Sequence, residues 1–291
     1  MKTAKIKLIS SMFIFGTIGI FVKNIDMPSS VIATVRGALG ALFLILFILI
    51  KSQKMSVNAI KKNLLVLCIS GACIGVNWIL LFESYRYTTV ATATLCYYMA
   101  PVFVVLVSPL LLKEKLTLKK SLCVCLAIIG MVLVSGVLSG DNSANVKGII
   151  FGLLAATAYA SVMVLNKFLK EISAFDMTIM QLGTATLVIL PYTLLTETIS
   201  AIELDGRTAV LLIVIGVLHT GITYALYFSS MQDLKAQTVA IFSYIDPAVA
   251  IILSATILRE GMDLYGILGA ILILGSTFFS EITDKNANTG D

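Results

Sequence analysis

The chain has 291 residues, of which 58% are hydrophobic and only 13% are charged. A soluble domain carries roughly 45–50% apolar and about 25% charged residues, so lipid must be the solvent for most of this chain. This composition excludes a soluble enzyme. The net charge of +5 would suggest nucleic acid in a soluble protein, but here the basic residues lie in short turns between apolar runs. They therefore indicate membrane topology, and we expect no nucleic-acid partner.

Apolar runs follow one another along the chain, each with about the 17–25 residues that a helix needs to cross the hydrocarbon core. The first follows a basic N-terminus, as a signal peptide does, but no small-residue cleavage site follows it, so we interpret it as a retained span. The sequence predicts an all-α integral membrane protein with ten transmembrane helices. The predicted spans are 6–22, 29–50, 63–84, 90–112, 121–138, 148–166, 177–196, 208–229, 237–258 and 264–282.

Basic residues in the turns are distributed unevenly between the two sides of the membrane. With the N-terminus inside, the inner segments hold 15 lysines and the outer turns hold 5 basic residues; Arg36, within a span, completes the 21. Cytoplasmic loops are enriched in Lys and Arg, so this bias predicts that both termini are cytoplasmic. Short loops and the lack of an organellar targeting peptide indicate a multi-pass protein of a prokaryotic cytoplasmic membrane.

Residues for metal or redox chemistry are scarce in this sequence. The five cysteines lie inside apolar runs without Cys-x-x-Cys spacing, which is typical of small apolar filling residues. His219 is the single histidine, which excludes motifs that need two, and the sequence contains no phosphate-binding Gly-x-x-x-x-Gly-Lys-Ser/Thr loop. We therefore predict no metal, no cofactor and no catalytic residues.

An internal repeat relates 80–114 to 226–260 at a constant offset of 146 residues. Both stretches contain Tyr-x-x-Pro and end in a Lys/Arg-Glu pair, at Glu114 and at Glu260, for which we expect structural roles. The repeat predicts two halves of five spans, 1–140 and 141–291. Because five is odd, the second half must be inverted in the membrane, an arrangement typical of secondary transporters.

These motifs resemble those of a known family. Thr89-Val-Ala-Thr-Ala, Tyr98-x-x-Pro101 and Leu112-Lys-Glu114, with the second copies Tyr244-x-x-Pro247 and Leu258-Arg-Glu260, are similar to the drug/metabolite transporter superfamily, and more narrowly to its EamA-type ten-span members. The resemblance covers essentially the whole chain. It implies a carrier with a central cavity and no ATP-binding domain, and it leaves the solute open.

Four ionisable residues lie inside the predicted spans, where a charge costs about 2.5–3.5 kcal/mol and should face protein or a water-filled cavity. Arg36 lies about 10 Å below the outer end of span 2, and Glu83 lies in the outer half of span 3. Two interpretations stay open for them. They could form a structural ion pair, or Arg36 could bind the carboxylate of a zwitterion and Glu83 its amine.

Asp246 and His219 are the other two ionisable residues inside the predicted spans. Asp246 lies mid-span directly before Pro247, where the helix is expected to kink, and its repeat counterpart is Ala100. The repeat therefore does not require the acid, which favours a proton or cation site. His219 begins a stripe with Thr223 and Tyr227. It is either a packing residue or, if it approaches Asp246, part of a titrating pair.

Polar and aromatic residues inside the spans complete the candidate translocation site. Asn77 and Trp78 lie in span 3, and Trp78 matches Tyr224 at the repeat offset. That pair could form a cavity wall that holds an amine by cation–π contact. Tyr98 and Tyr244 are repeat-related as well, so helix packing beside the prolines and solute contact are both open for them.

The sequence favours a secondary carrier that moves a small organic solute, an amino acid or a related metabolite or amine, by alternating access. One arginine against two acids suits a zwitterion or cation better than a phosphorylated anion. We expect efflux, with protons as a candidate coupling ion and the lipid bilayer as the other partner; the oligomeric state stays open. A non-transporting scaffold, a channel and an intramembrane enzyme are the alternatives, although no catalytic motif supports an enzyme.

Overall fold

The computed structural model describes residues 2–52, 55–112, 117–135, 146–198, 204–231, 234, 239 and 242–287, and every regular element among them is helical. The helices in chain order are α1 (Lys2–Lys23), α2 (Ser29–Ile50), α3 (Val57–Tyr87), α4 (Val90–Tyr97), α5 (Ala100–Leu111), α6 (Leu118–Val134), α7 (Val146–Asn166), α8 (Ala174–Thr196), α9 (Gly206–Ile213), a π-helix (Val214–Ile222), α10 (Thr223–Met231), α11 (Ile245–Thr256) and α12 (Leu264–Ala287).

Membrane-length helices confirm that the chain is an integral membrane protein. Seven helical stretches of the described residues are long and apolar enough to span a bilayer, and α11 and the stretch Leu264–Phe279 are shorter apolar helices. Each of the ten predicted runs overlaps at least one helix. The count of ten spans stays a prediction. Glu114 and the predicted boundary at 140/141 lie outside the described residues.

Two predicted spans are interrupted at the same point of the repeat. The first break separates α4 from α5 at Tyr98, where φ is −70° and ψ is 1°. At the equivalent position Tyr244 precedes α11, with φ −72° and ψ −7°. A proline follows each tyrosine by three residues, and its missing N–H frees a carbonyl one turn earlier. The matching breaks agree with the predicted repeat, and discontinuous helices near the midplane are typical of transporter binding sites.

A π-helix occupies the middle of the predicted span 8. Thr220 Oγ1 bonds to Ile215 O at 3.1 Å and Thr223 Oγ1 to Leu218 O at 2.6 Å, both five residues back. Gly216 lies against Leu39 of α2, so a side chain at 216 would have no room there. π-helical turns are rare and occur frequently at functional sites. Here the wider turn directs Thr220 toward α2.

The interior is formed mainly by α3, which packs extensively on α7 and α8, and by α2, which packs on α8 and the π-helix. Helices α6 and α12 form a second closely packed pair. Many large apolar side chains face outward, among them Leu65, Leu187 and Leu195. In a bilayer these side chains contact lipid, so the core beneath them is free to hold polar groups.

Candidate functional site

Arg36 lies inside the helix bundle with 5% of its surface exposed. Its Nε donates a hydrogen bond of 2.9 Å to Thr220 Oγ1. The guanidinium carbon lies 4.3 Å from the centre of the Trp78 ring and 5.8 Å from that of Phe82. Within the part of the chain that the structure describes, no ion pair joins Arg36 to a carboxylate. One edge of the guanidinium is thus fixed by the protein, while its charge has no described counter-ion.

Asp246 lies in the first turn of α11, beside the break in its span. The Tyr98 hydroxyl donates to Asp246 Oδ2 at 3.0 Å and lies 3.5 Å from Ser243 O, the carbonyl that Pro247 leaves without its helical donor. Gly16 of α1 lies directly against the Asp246 carbonyl, so α1 covers this turn closely. The carboxylate therefore keeps one oxygen, Oδ1, for which the described residues provide no hydrogen bond.

Three tyrosine rings lie near both charged residues. Tyr85, Tyr97 and Tyr224 each lie close enough to interact electrostatically with both Arg36 and Asp246. Asp246, Tyr97, Tyr98 and Tyr224 keep partly exposed surface. We call Arg36, Tyr85, Tyr97, Tyr98, Tyr224 and Asp246 the central site. It combines one positive group, one negative group and four phenols.

Stacked rings hold these phenols in place. Tyr97 stacks on Tyr159 of α7 with ring centres 5.1 Å apart and meets Tyr98 edge-on at 6.1 Å. Tyr224 stacks on Phe228 at 5.7 Å. Such aromatic pairs contribute about 0.5–1.5 kcal/mol beyond their buried area. The walls of the central site are therefore preorganised by helices from both halves of the chain.

Three of the sequence candidates lie away from this centre. Asn77 Nδ2 donates to Ala155 O at 2.7 Å and joins α3 to α7. Glu83 pairs with Arg86 at 3.0 Å, one turn along the same helix, so the structure does not bring it to Arg36. Tyr244 packs edge-on against Phe278 of α12, with ring centres 5.3 Å apart.

His219 is fully buried beside the central site. Its Nε2 lies 2.8 Å from Thr17 Oγ1, its Nδ1 lies 3.3 Å from Val214 O, and its ring meets Phe21 edge-on at 4.8 Å. The described contacts do not include Asp246. These contacts attach the π-helix to α1 and favour a packing role, while the adjacent Thr220 holds Arg36.

The residues that sequence reasoning missed are Phe82, Tyr85, Tyr159 and Thr220. Trp78, Phe82 and Tyr85 follow one another at i, i+4 and i+7, a helical stripe visible in the sequence. Thr220 carried no such signal, because its position opposite Arg36 depends on the π-helix.

Glu260 joins three helix ends on the predicted outer side of the membrane. Its Oε1 pairs with Lys23 at the end of α1, and its Oε2 accepts hydrogen bonds from the Val90 amide at 2.8 Å and from the Ser254 hydroxyl. Arg259, with φ 56°, makes the left-handed turn that brings Glu260 back onto α11. These contacts, which we call the Glu260 clasp, connect α1, α4 and α11.

A cavity of about 250 Å³ lies between α5, α6, α7 and α12. Lys167 directly follows α7 and lies on the predicted cytoplasmic side, so this end of the cavity is on the side opposite to the Glu260 clasp. The residues that line the cavity include Pro101, Val105, Cys123, Met163, Lys167 and Ser276.

Comparison with known protein families identifies the chain. The model of the EamA-like transporter family matches residues 3–136 and 146–281. The chain belongs to this family. The two matched stretches fall in the two predicted halves, and together they include every residue of the central site. The resemblance inferred from the Tyr-x-x-Pro and Lys/Arg-Glu motifs is thereby confirmed.

Relatives support the same assignment over nearly the full length. The uncharacterized transporter YxxF of Bacillus subtilis is 31% identical over 93% of this chain and 87% of its own length. An uncharacterized transporter of Archaeoglobus fulgidus is 28% identical over 96% and 97%. A crystal structure with 16% identity superposes with a TM-score of 0.67 over 96% of this chain and 98% of that one, which shows a shared fold. Family and relatives are named as transporters, and transporters are not enzymes.

Proposed function

We propose that this EamA-family member is a secondary carrier for a small zwitterionic solute, an amino acid or a close relative. The observation that carries the proposal is that Tyr85, Tyr97 and Tyr224 lie within electrostatic reach of two charged groups of opposite sign, the buried Arg36 and the partly buried Asp246. Charges inside a membrane protein are costly and typically mark the path of a substrate or ion. A scaffold would have no use for this arrangement.

The geometry supports a definite orientation for the solute. The free edge of the Arg36 guanidinium suits a carboxylate, which arginine binds with two parallel hydrogen bonds. Asp246 Oδ1 suits the ammonium group, and the rings of Tyr97 and Tyr224 offer it cation–π contacts. Asp246 thus takes the role that the sequence had suggested for Glu83. A phosphorylated anion would meet the repulsion of Asp246 and only one cation.

Asp246 is also the proposed site of proton coupling. An ammonium group and a proton would compete for the same carboxylate, because each neutralises its charge. Binding of one would then release the other, which is the exchange that a proton-driven exporter needs. Tyr98 holds Asp246 in place by donating to Oδ2, and it can keep that bond in both states.

Alternating access is the proposed mechanism, with one five-span half inverted relative to the other and both termini in the cytoplasm of a prokaryotic cell. The Glu260 clasp would close the outer side, while the cavity beside Lys167 lies on the inner side. This arrangement corresponds to the inward-facing state of the cycle, and efflux is the proposed direction.

Thermal stabilisation of the detergent-purified protein tests the proposal. A ligand at 100 times its dissociation constant adds about 2.7 kcal/mol of stability. Amino acids and amines should shift the unfolding midpoint, and sugars and nucleosides should not. Asp246→Asn should abolish the shift, whereas Asp176→Asn, which alters a buried aspartate that contacts Ser56 away from the site, should retain it. A shift with sugars alone, or one that survives Asp246→Asn, would refute the zwitterion site.

A further inference from the structure

The cavity between α5, α6, α7 and α12 is a second candidate binding site, apart from the central site. Its volume is about 250 Å³, and none of its described lining residues belongs to the central site. Voids larger than a water molecule are few in a packed protein interior. Helix α6 packs extensively on α12 but only sparsely on α5. Beside the lining positions Val105 and Cys123, Leu106 and Leu122 are exposed to lipid, so the cavity lies directly beneath the lipid-facing surface.

The wall of this cavity is mainly apolar. Proline, valine, cysteine and methionine side chains form most of it. Ser276 and Thr277 also line it, but both hydroxyls donate to Ile273 O of their own helix, at 3.0 and 2.8 Å. They therefore need no partner from a ligand. An apolar cavity of about 150 Å³ is already large enough to hold benzene, so this wall favours a hydrocarbon chain over a polar solute.

Two lysines mark the predicted cytoplasmic end of the cavity. Lys167 lines it and follows Met163 by four residues, and Lys119 precedes Cys123 by four residues. Residues four apart lie on the same face of a helix, about 6 Å apart along its axis. Each lysine is therefore one turn to the cytoplasmic side of an apolar lining residue. Both lysines are exposed, and none of the described lining residues is acidic. The cavity is thus apolar inside and positively charged at its cytoplasmic mouth.

We infer that this cavity binds one acyl chain of an anionic phospholipid from the cytoplasmic leaflet, with Lys119 and Lys167 holding the headgroup phosphate. Basic pockets between transmembrane helices on the cytoplasmic side bind anionic lipid headgroups, and lysine side chains extend along apolar surface to place their charge at the interface. A zwitterionic headgroup has no net charge and would be attracted less. The site is separate from the central site, so the inference holds whatever solute the central site binds.

Native mass spectrometry of the delipidated protein tests this by titration with phosphatidylglycerol and phosphatidylcholine that carry the same dioleoyl chains. The wild-type protein should bind phosphatidylglycerol at least tenfold more tightly. Lys119→Gln and Lys167→Gln should each weaken that binding about fivefold, the effect of one lysine near an anionic surface, and the double variant should lose most of the preference. Cys123→Phe should weaken the binding of both lipids, because its ring would occupy the cavity.

Two matched controls should bind both lipids as the wild type does. Lys61→Gln removes an exposed lysine of α3 that does not line the cavity, and Leu122→Phe adds a ring to the lipid-facing side of α6. If Cys123→Phe fails to fold, the lysine variants carry the test, since they alter exposed side chains.

Three results would overturn the inference. Equal binding of the two lipids by the wild type would exclude an anionic headgroup site. Equal binding of phosphatidylglycerol by Cys123→Phe and Leu122→Phe would place the lipid on the general protein surface. Tighter binding of oleic acid than of phosphatidylglycerol, lost in Lys167→Gln, would assign the cavity to a free fatty acid. Each result concerns lipid binding alone, so the proposed carrier function would stand.

Discussion

Replacing Arg36 by methionine separates a functional from a structural role for the buried charge. Removing the charge relieves an insertion cost of about 2.5–3.5 kcal/mol. It also loses a charge-assisted hydrogen bond to Thr220, worth about 1.5–3 kcal/mol, and a desolvated cation–π contact with Trp78, worth about 2 kcal/mol. Thr220 keeps its bond to Ile215 O. The losses exceed the gain by at most about 2.5 kcal/mol, so we expect the stability of the empty protein to fall by no more than about 2.5 kcal/mol.

Solute binding should respond very differently to the same substitution. Arg36→Met removes the proposed carboxylate ligand, so amino acids should no longer shift the unfolding midpoint, and uptake into proteoliposomes should fall to background. Arg86→Met is the control, because Arg86 forms an exposed ion pair with Glu83 of the kind that contributes about 0–1 kcal/mol. Loss of 3–5 kcal/mol of stability in Arg36→Met, the cost of breaking a buried ion pair, would refute the reasoning, as would a persistent solute shift.

Three further predictions concern other parts of the structure. Asp246→Asn should abolish proton-driven uptake while the protein still reaches the membrane; uptake that still responds to a pH gradient would exclude Asp246 as the coupling site. Glu260→Gln should weaken the Glu260 clasp. In a protein whose five native cysteines are replaced by alanine, it should speed the labelling of a Thr94→Cys reporter on α4 by an impermeant thiol reagent from outside several-fold, and an unchanged rate would exclude an outer gate. Gly40→Ala should lower the unfolding temperature, because its Cβ would meet Thr220. Gly183→Ala, with open space around it, should raise it, since alanine is favoured over glycine in a helix by about 0.5–1 kcal/mol; equal effects would contradict the close packing.

The sequence predicted much of the central site because charges and repeated motifs are conspicuous in an apolar chain. Arg36, Tyr98, Tyr224 and Asp246 were candidates that lie in the central site, and Trp78 packs against Arg36. Membrane insertion is costly for a charge, so Arg36 and Asp246 were informative by themselves, whereas Glu83 and His219 have other contacts. The aromatic partners were identified by the repeat offset, which needs no knowledge of three-dimensional contacts.

The contacts that the sequence did not predict depend on which of several nearby groups a side chain pairs with. Glu83 was expected near Arg36, yet Arg86 lies three residues away on the same helix face, and a local partner needs no tertiary approach. The π-helix has no local sequence signal either. Its wide turn is stabilised by the close approach of Gly216 to Leu39 and by hydroxyl bonds to carbonyls five residues back. Thr220 could therefore be connected to Arg36 only through the structure.

Some residues of the central site have an identical or aromatic counterpart in the other copy of the repeat, and others do not. We infer that the two kinds have different roles. Of the repeat-related pair, Tyr224 belongs to the central site and Trp78 packs against Arg36, and the break at Tyr98 recurs at Tyr244. The acid has no such counterpart, since Asp246 corresponds to Ala100 in the first copy of the repeat. Under the proposed alternating-access mechanism, symmetric aromatic residues would give both halves similar surfaces on which to move. Under the proposed carrier function, a single acid on one side would fix the orientation in which a zwitterion binds.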